Sequence, residues 1–170
     1  MWPYWAGLGK VGTAMHRVAE MFWLGESTIS ILNDSVVITG DDSFTGDLSS
    51  VSPVLSNDTI HEFLTYLNSL KTTLQARHGK NCKFRPEYPV VAKSSLPVKG
   101  NHKAHIIGII DLVVEDEYGI PHIYDYKTSD KDMDEWGAIK RRSYMAQLGL
   151  YRRILESYGI NVEGSTLGIL

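Results

Sequence analysis

The feature that most constrains the fold is a pair of β-branched segments, each carrying a carboxylate where a core residue is expected. Asp111 interrupts the apolar run at 109–114 (IIDLVV), and Asp125 ends the run that begins at Ile120. The acidic turn between them predicts a β-hairpin with Asp111 roughly opposite Asp125. Lys127, two residues after Asp125, leaves the strand on the same face. The sequence therefore gathers two carboxylates and a lysine on one patch of sheet.

This combination of groups is typical of a metal-assisted phosphoryl site. Carboxylates on an apolar strand are costly to bury unless a partner neutralises them. Proteins hold Mg²⁺ with one or two carboxylates together with substrate phosphate, and an ammonium group stabilises charge that develops on phosphoryl oxygens. A plain salt bridge between Asp125 and Lys127 on an exposed face is the alternative. The hairpin alone leaves both interpretations open.

Two predicted helices add polar pairs at a spacing of four residues, which places each pair on one helical face. His16 and Glu20 lie in the helix predicted over residues 11–24, with Gly25 as its stop. A surface or core histidine and a solvated glutamate are the alternative for this pair. The first helix therefore supplies candidate site residues without deciding their role.

The last predicted helix, residues 136–158, carries Gln147 and Tyr151. Both side chains can hydrogen-bond phosphate oxygens, which positions a nucleic acid without reading its sequence. Arg141 and Arg142 could supply further backbone contacts. A solvated amphipathic helix is the alternative.

The order of elements predicts an α/β fold with a short mixed sheet flanked by helices. A chain of 170 residues with 43% apolar content fits one domain, residues 1–170. The polar stretch at about 26–59 is expected to be a mobile or hairpin-containing insertion, and Asp58 or Thr59 to cap the next helix. The remaining predicted elements are a helix at 60–77, an edge strand at 84–91, strands at 105–114 and 120–127, and a strand start at 166–170.

Composition narrows the setting more than the function. The net charge of −3 argues against a protein that coats nucleic acid by bulk positive charge, but not against a nucleic-acid enzyme. The single cysteine, Cys82, excludes an internal disulfide framework and a four-cysteine metal or cluster site. We expect an intracellular protein, cytoplasmic or in the host cell if viral, with no membrane association.

Taken together, the motifs resemble the RecB-like branch of the PD-(D/E)XK nuclease superfamily, which includes phage exonucleases and the mitochondrial genome maintenance exonuclease. The branch shows G-T/S-x-x-H-x-x-x-E, an early strand Glu, G-x-x-D, D/E-x-K-T/S and Q-x-x-x-Y in that order. The matching residues are Gly12, Thr13, His16 and Glu20, then Glu87, Gly108 and Asp111, then Asp125, Lys127 and Thr128, then Gln147 and Tyr151. The resemblance covers nearly the whole chain and implies a restriction-endonuclease-like core.

The resemblance also implies roles for these residues. It implies a metal shell of His16, Asp111, Asp125 and the backbone carbonyl of Tyr126, with Lys127 as the catalytic lysine. Glu20, Gln147 and Tyr151 would support the site or hold the DNA backbone, together with Thr128 and Ser129. Glu87 is the least secure match, because Pro86 and Pro89 blur the strand that should carry it.

The implied activity is a deoxyribonuclease that uses one or two Mg²⁺ or Mn²⁺ ions and water to leave a 5′-phosphate, with exonuclease action in DNA recombination, repair or replication as the expectation. Two alternatives stay open: a non-catalytic nucleic-acid-binding module on the same fold, and a restriction-type site-specific endonuclease. The polarity, the strand preference and the oligomeric state are not fixed by the sequence. Because the chain stops within an apparent strand, we expect either a compact, phage-like protein or a fragment of a longer one.

Overall fold

The computed structural model describes residues 9–24, 28–32, 35–39, 45–47, 55–98, 102–126 and 137–170. The helices are α1 (Gly9–Trp23), α2 (Asn57–His78) and α3 (Ala138–Ser157). The strands are β1 (Thr28–Leu32), β2 (Ser35–Thr39), β3 (Thr45–Asp47), β4 (Lys83–Val98), β5 (His102–Glu115), β6 (Pro121–Asp125) and β7 (Leu167–Ile169).

The strands form two sheets of different size. The larger sheet has the order β4-β5-β6-β7, with β4, β5 and β6 antiparallel and β7 parallel to β6. It is the short mixed sheet that the sequence predicts, and β4 lies at its edge as expected. The smaller sheet, β1-β2-β3, lies within the polar stretch at about 26–59 and is antiparallel throughout.

The larger sheet lies between two helical layers. Side chains alternate across a strand, so Leu112 and Val114 pack into a core with α1 and α2, whereas Val113 packs into a second core with α3. On β6, Tyr124 and Ile123 divide in the same way. The fold is therefore an α/β sandwich of the restriction-endonuclease-like type, with α1 and α2 on one face of the sheet and α3 on the other.

The alternation breaks at one level of the sheet. Phe84 packs against the α1–α2 core, but Tyr88, four residues later, packs against the α3 core. On β5 the same exchange separates Leu112 from Ile110. Both strands change faces between these positions, where Glu87 of β4 lies opposite Asp111 of β5.

Most predicted elements are present, with corrected ends. The predicted cap of α2 at Asp58 or Thr59 is wrong: Ser56 is the N-cap, and its side chain accepts a hydrogen bond from the Thr59 backbone N–H. A serine hydroxyl is among the strongest N-capping groups, and the helix begins one turn before its apolar periodicity does. None of the described helices combines the length and apolarity that crossing a bilayer would require.

Candidate metal centre

Three side chains from separate elements meet where the sheet changes faces. His16 of α1, Glu87 of β4 and Asp111 of β5 each direct one potential ligand atom into a space where these atoms lie within 4.8 Å of one another. The His16 Nδ1 atom lies 3.8 Å from Asp111 Oδ1 and 3.9 Å from Glu87 Oε1. The sequence predicted His16 and Asp111 as ligands and was least secure about Glu87, which completes this set.

Burial of α1 against the sheet sets the position of His16. Met15, Val18 and Ala19 flank it in sequence and are fully buried in the α1–α2 core. The imidazole packs edge-on against the Tyr126 ring, with 5.5 Å between ring centroids. The histidine therefore has one side against the core and the other towards the two carboxylates.

Tyr126 connects the end of β6 to α1 through both its ring, which contacts His16, and its hydroxyl, which contacts Trp23. Its hydroxyl accepts a hydrogen bond from the Trp23 indole N–H, and burial raises its pKa well above the ordinary value, which keeps the phenol neutral. Sequence reasoning did not single out Trp23. The signal was its spacing of seven residues from His16, which places both on one helical face.

Glu87 reaches the cluster through an unusual backbone conformation. Its φ angle of 48° is the only positive one among the described non-glycine residues. A left-handed conformation costs an ordinary residue about 1–2 kcal/mol, and such outliers concentrate at functional sites. Pro86 and Pro89 therefore do not displace Glu87 from the site, because this local turn of β4 aims its side chain at His16.

Asp111 and Asp125 lie side by side as the hairpin prediction requires. Leu112 pairs with Tyr124, which puts Asp111 opposite Asp125 one step further along the register. The Tyr126 backbone N–H donates to Asp111 Oδ2 at 2.7 Å. Asp125 is only 5% exposed, so the two carboxylates share a poorly hydrated environment.

This environment makes negative charge at Asp111 unfavourable. Burial raises the pKa of Asp111 to about 7, with the Asp125 charge adding to the rise and the Tyr126 N–H opposing it. Burial also raises the pKa of Glu87, helped by the charge of Glu20 and opposed by Arg17. Among the described residues, the groups around the cluster therefore do not fully stabilise its carboxylate charge.

A divalent cation fits this donor set. Two ligand atoms bound at about 2.1 Å to one Mg²⁺ lie at most about 4.2 Å apart, and both histidine–carboxylate distances, 3.8 and 3.9 Å, are within that limit. A majority of carboxylate oxygens favours Mg²⁺ or Mn²⁺ over softer metals. Asp125 adjoins Asp111 but is not one of the three residues whose ligand atoms cluster within 4.8 Å.

Glu20 lies beside the cluster, not inside the set of clustered ligand atoms. It forms an ion pair with Arg17 one turn earlier on α1, and its charge contributes to the raised pKa of Glu87. The structure thus gives Glu20 an electrostatic influence on the site.

Gln147 and Tyr151 meet as their spacing predicts, and Tyr151 also contacts β5. The Gln147 amide donates to the Tyr151 hydroxyl at 3.1 Å. A Cβ atom at Gly108 would lie 2.6 Å from the Tyr151 ring, so the glycine of G-x-x-D leaves room for the tyrosine of Q-x-x-x-Y. Tyr151 is 8% exposed. The pair therefore fastens α3 to β5 three residues before Asp111.

Other expected site residues are placed less closely or lie outside the described residues. Arg141 and Arg142 are exposed on the first half of α3. Lys127, Thr128 and Ser129 are outside the described ranges. Their assignment as catalytic or DNA-contacting residues remains a prediction, as does the role of the Tyr126 carbonyl.

Comparison with known proteins gives one result that bears on this geometry. The model of the PD-(D/E)XK nuclease superfamily matches residues 6–165 of the chain. The match includes the three clustered ligands and the described helices α1, α2 and α3. No curated protein matches the sequence.

Proposed function

The chain belongs to the PD-(D/E)XK nuclease superfamily, and from that premise we propose that it is a divalent-metal-dependent deoxyribonuclease. Superfamily membership implies a nucleic-acid substrate. We propose in addition that it acts as an exonuclease of the RecB-like type in DNA recombination, repair or replication. The ordered set of motifs, including the helical His16 and the Gln147–Tyr151 pair, favours that branch.

The observation that carries the proposal is the cluster of His16, Glu87 and Asp111 beside Asp125. These residues would hold Mg²⁺ or Mn²⁺, and because burial beside Asp125 raises the pKa of Asp111 to about 7, a bound cation would stabilise its ionised form. When bound, such an ion lowers the pKa of water and polarises phosphoryl oxygens. A salt bridge confined to Asp125 and Lys127 would not require His16 and Glu87 to converge on Asp111.

The residues of the chain divide the remaining tasks. Asp111 is held by the Tyr126 N–H, so one carboxylate oxygen is fixed while the other, Oδ1, faces His16. Tyr126 and Trp23 hold α1 against the sheet and keep the imidazole oriented. We assign to Lys127 the stabilisation of charge that develops on the scissile phosphate.

Cleavage of end-labelled DNA tests this function. The intact chain is incubated with 5′-labelled single-stranded and duplex DNA in Mg²⁺, Mn²⁺ or EDTA, beside the Lys127→Ala variant. We expect cleavage only with metal, loss of cleavage in the variant, and no cleavage of circular DNA because an exonuclease needs an end. Absence of cleavage by a folded, DNA-binding chain in either metal would refute the proposal, and cleavage of circles would refute its exonuclease part.

A further inference from the structure

A groove runs along the outer edge of β4 beside the second half of α3. It consists of two adjoining depressions with volumes of about 380 and 310 Å³. Tyr158 lines both depressions and therefore forms the ridge between them. Tyr88 and Pro89 help to line the larger depression, and Arg153 helps to line the smaller one.

The Tyr158 ring is held in place before any ligand arrives. Its hydroxyl donates to the Val91 carbonyl of β4, and its backbone N–H donates to the Leu155 carbonyl at the end of α3, at 3.1 Å. Even so, Tyr158 remains 54% exposed. A fixed aromatic side chain with an open surface is a low-entropy platform for stacking, because little freedom is lost when a ligand binds.

The β4 edge is poorly suited to pairing with an added peptide strand. Pro86 and Pro89 offer no N–H group, and the Val91 carbonyl already accepts the Tyr158 hydroxyl. Prolines on an edge strand are a common means of preventing such pairing. The groove is therefore better fitted to a ligand that uses aromatic and cationic contacts than to one that uses backbone hydrogen bonds.

We infer that this groove binds an unpaired strand of nucleic acid alongside β4, the edge strand that also carries Glu87. Tyr88 follows Glu87 directly in β4 but packs on the α3 side, so the larger depression and the proposed metal ligand lie on opposite faces of the same edge strand. Bases stack on aromatic rings irrespective of sequence, and cationic side chains contact the phosphates. We therefore assign base stacking to Tyr158 and a phosphate contact to Arg153. Pockets of about 300–1,000 Å³ hold compact ligands, so each depression suits roughly one nucleotide, and a base must be unpaired for its face to stack on Tyr158.

This inference rests on the proposed function for its substrate class, so its test is made without cleavage. Binding of a fluorescein-labelled oligothymidylate to the intact chain is measured by anisotropy in EDTA. We expect Tyr158→Ala to weaken binding about tenfold, as loss of one stacked base predicts, and Tyr158→Phe to stay within about twofold because the ring remains. Tyr118→Ala, at a tyrosine that is 90% exposed in the β5–β6 turn, is the matched control and should bind as the intact chain does.

The cationic contact has its own readout. Log affinity falls with log salt concentration, and Arg153→Ala should make this slope less negative by about 0.7, the value for one phosphate contact on a single strand. Lys83→Ala is the control, because Lys83 is paired with Glu115 near the opposite end of β4, and its slope should equal that of the intact chain. Equal slopes for all three proteins would overturn the assignment of Arg153.

Photocrosslinking of the unaltered chain keeps the inference open to refutation if a variant fails to fold. An oligonucleotide that carries 5-iodouracil should form adducts at Tyr88 or Tyr158, and excess blunt duplex should compete poorly. Adducts only at other sites, competition by duplex equal to that by single strand, or unchanged binding by Tyr158→Ala would each overturn it. Groove binding that persists in a chain without nuclease activity would count against the proposed function alone.

Discussion

The β5–β6 hairpin carries two polar clusters, and they differ in how their charges are compensated. One lies by the turn and comprises His78, Asp116, His122 and Tyr124; we call it the turn cluster. The other lies at the far end of β6 and comprises His16, Glu87, Asp111 and Asp125; we call it the metal cluster. Both combine histidine with carboxylate, yet the pKa of Asp116 in the first is lowered and that of Asp111 in the second is raised.

In the turn cluster, both carboxylate oxygens of Asp116 and both ring nitrogens of His122 have hydrogen-bond partners. Asp116 Oδ1 accepts from the backbone N–H groups of Tyr118 and Ile120, at 2.9 and 2.8 Å, and Oδ2 lies 3.1 Å from His122 Nε2. Because His122 Nδ1 accepts from the Thr166 N–H, the neutral ring carries its proton on Nε2 and donates to Asp116. Burial by itself would raise the pKa of Asp116, but these hydrogen bonds outweigh it and the pKa is lowered.

In the metal cluster, the balance is reversed. Burial and the neighbouring Asp125 raise the pKa of Asp111 to about 7, and the carboxylates of Glu87 and Asp111 both face one imidazole. Buried charges are expected to be paired or to coordinate metals. A buried polar group by itself therefore does not mark a functional site, whereas a buried excess of negative charge among the described residues does.

Replacement of Asp111 and of Asp116 by asparagine should change the free energy of unfolding in opposite directions. Asp111→Asn should lower nuclease activity about 100-fold or more, since a charged ligand of the proposed metal ion is lost. It should raise the free energy of unfolding at pH 8 without metal by about 1–3 kcal/mol, because a charge with a raised pKa is removed. Cleavage assays and urea denaturation measure the two effects.

Asp116→Asn is the matched control in the turn cluster. Its amide nitrogen would face the His122 N–H as a second donor, so the free energy of unfolding should fall by about 1–3 kcal/mol. Activity per folded molecule should stay unchanged. If both variants lost activity equally, or if Asp111→Asn destabilised the chain as much as Asp116→Asn, the distinction between the clusters would be wrong.

The second prediction concerns whether Glu87 itself binds the metal ion. Glu87→Gln should weaken Mn²⁺ binding about 10- to 100-fold, because a charged ligand becomes neutral. Glu20→Gln is a close control, since Glu20 also influences the site but is paired with Arg17, and it should change binding by no more than a few-fold. Titration calorimetry measures both. Similar losses for the two variants would mean that Glu87 acts by charge at a distance and not as a ligand.

The pH dependence of metal binding should distinguish the clusters further. The folded pKa of Asp111 is about 7, above its ordinary value, so below pH 7 an ion must displace a proton to bind. The affinity for Mn²⁺ should therefore rise about tenfold per pH unit up to about pH 7 and then level off. In Asp111→Asn the slope should fall by about one proton per ion bound, and the slope that remains is that of the His16 imidazole, which must also be unprotonated to bind the ion. A profile that is flat for the intact chain would show that Asp111 is not the group that titrates.

The smallest effect concerns stability in the turn cluster. Burial, aided by the charge of His122, lowers the pKa of His78 to about 4. A folded pKa below the unfolded one gives full stability above about pH 6.5, and this contribution is lost as the pH falls towards 4. The free energy of unfolding should drop by about 1–2 kcal/mol between pH 7 and pH 5, and less in His78→Gln. An equal drop in both proteins would contradict the assignment.

The sequence predicts the fold well because its strongest patterns are local. The apolar strands β5 and β6 are separated by a short acidic turn, which fixes their pairing and places Asp111 opposite Asp125. The helices α1 and α3 follow from apolar periodicity, and Gly159, with φ of 79°, follows α3 as predicted. The start of α2 at Ser56 was missed, because its first turn carries polar residues that resemble the preceding insertion.

The candidate site was predicted in part, and the reasons are physical. Asp111 was singled out because it interrupts an apolar strand, and His16 because it lies four residues from Glu20 on one helical face within a motif that resembles the family's. Glu87 was insecure, because its contact with His16 depends on a left-handed backbone conformation that two nearby prolines conceal. The groove beside β4 was not predicted at all, since Tyr88 and Tyr158 are 70 residues apart in the sequence and only the packing of α3 against the sheet joins them.

The most direct test of the metal centre is to locate a bound Mn²⁺ ion by anomalous scattering. Crystals of the intact chain grown with Mn²⁺ would be measured at a wavelength with strong anomalous scattering from manganese. Our account predicts an anomalous peak between the His16 imidazole and the carboxylates of Glu87 and Asp111, which is absent from crystals of Asp111→Asn. No peak there at saturating Mn²⁺, or a peak confined to another part of the molecule, would contradict the assignment of this cluster as the metal centre.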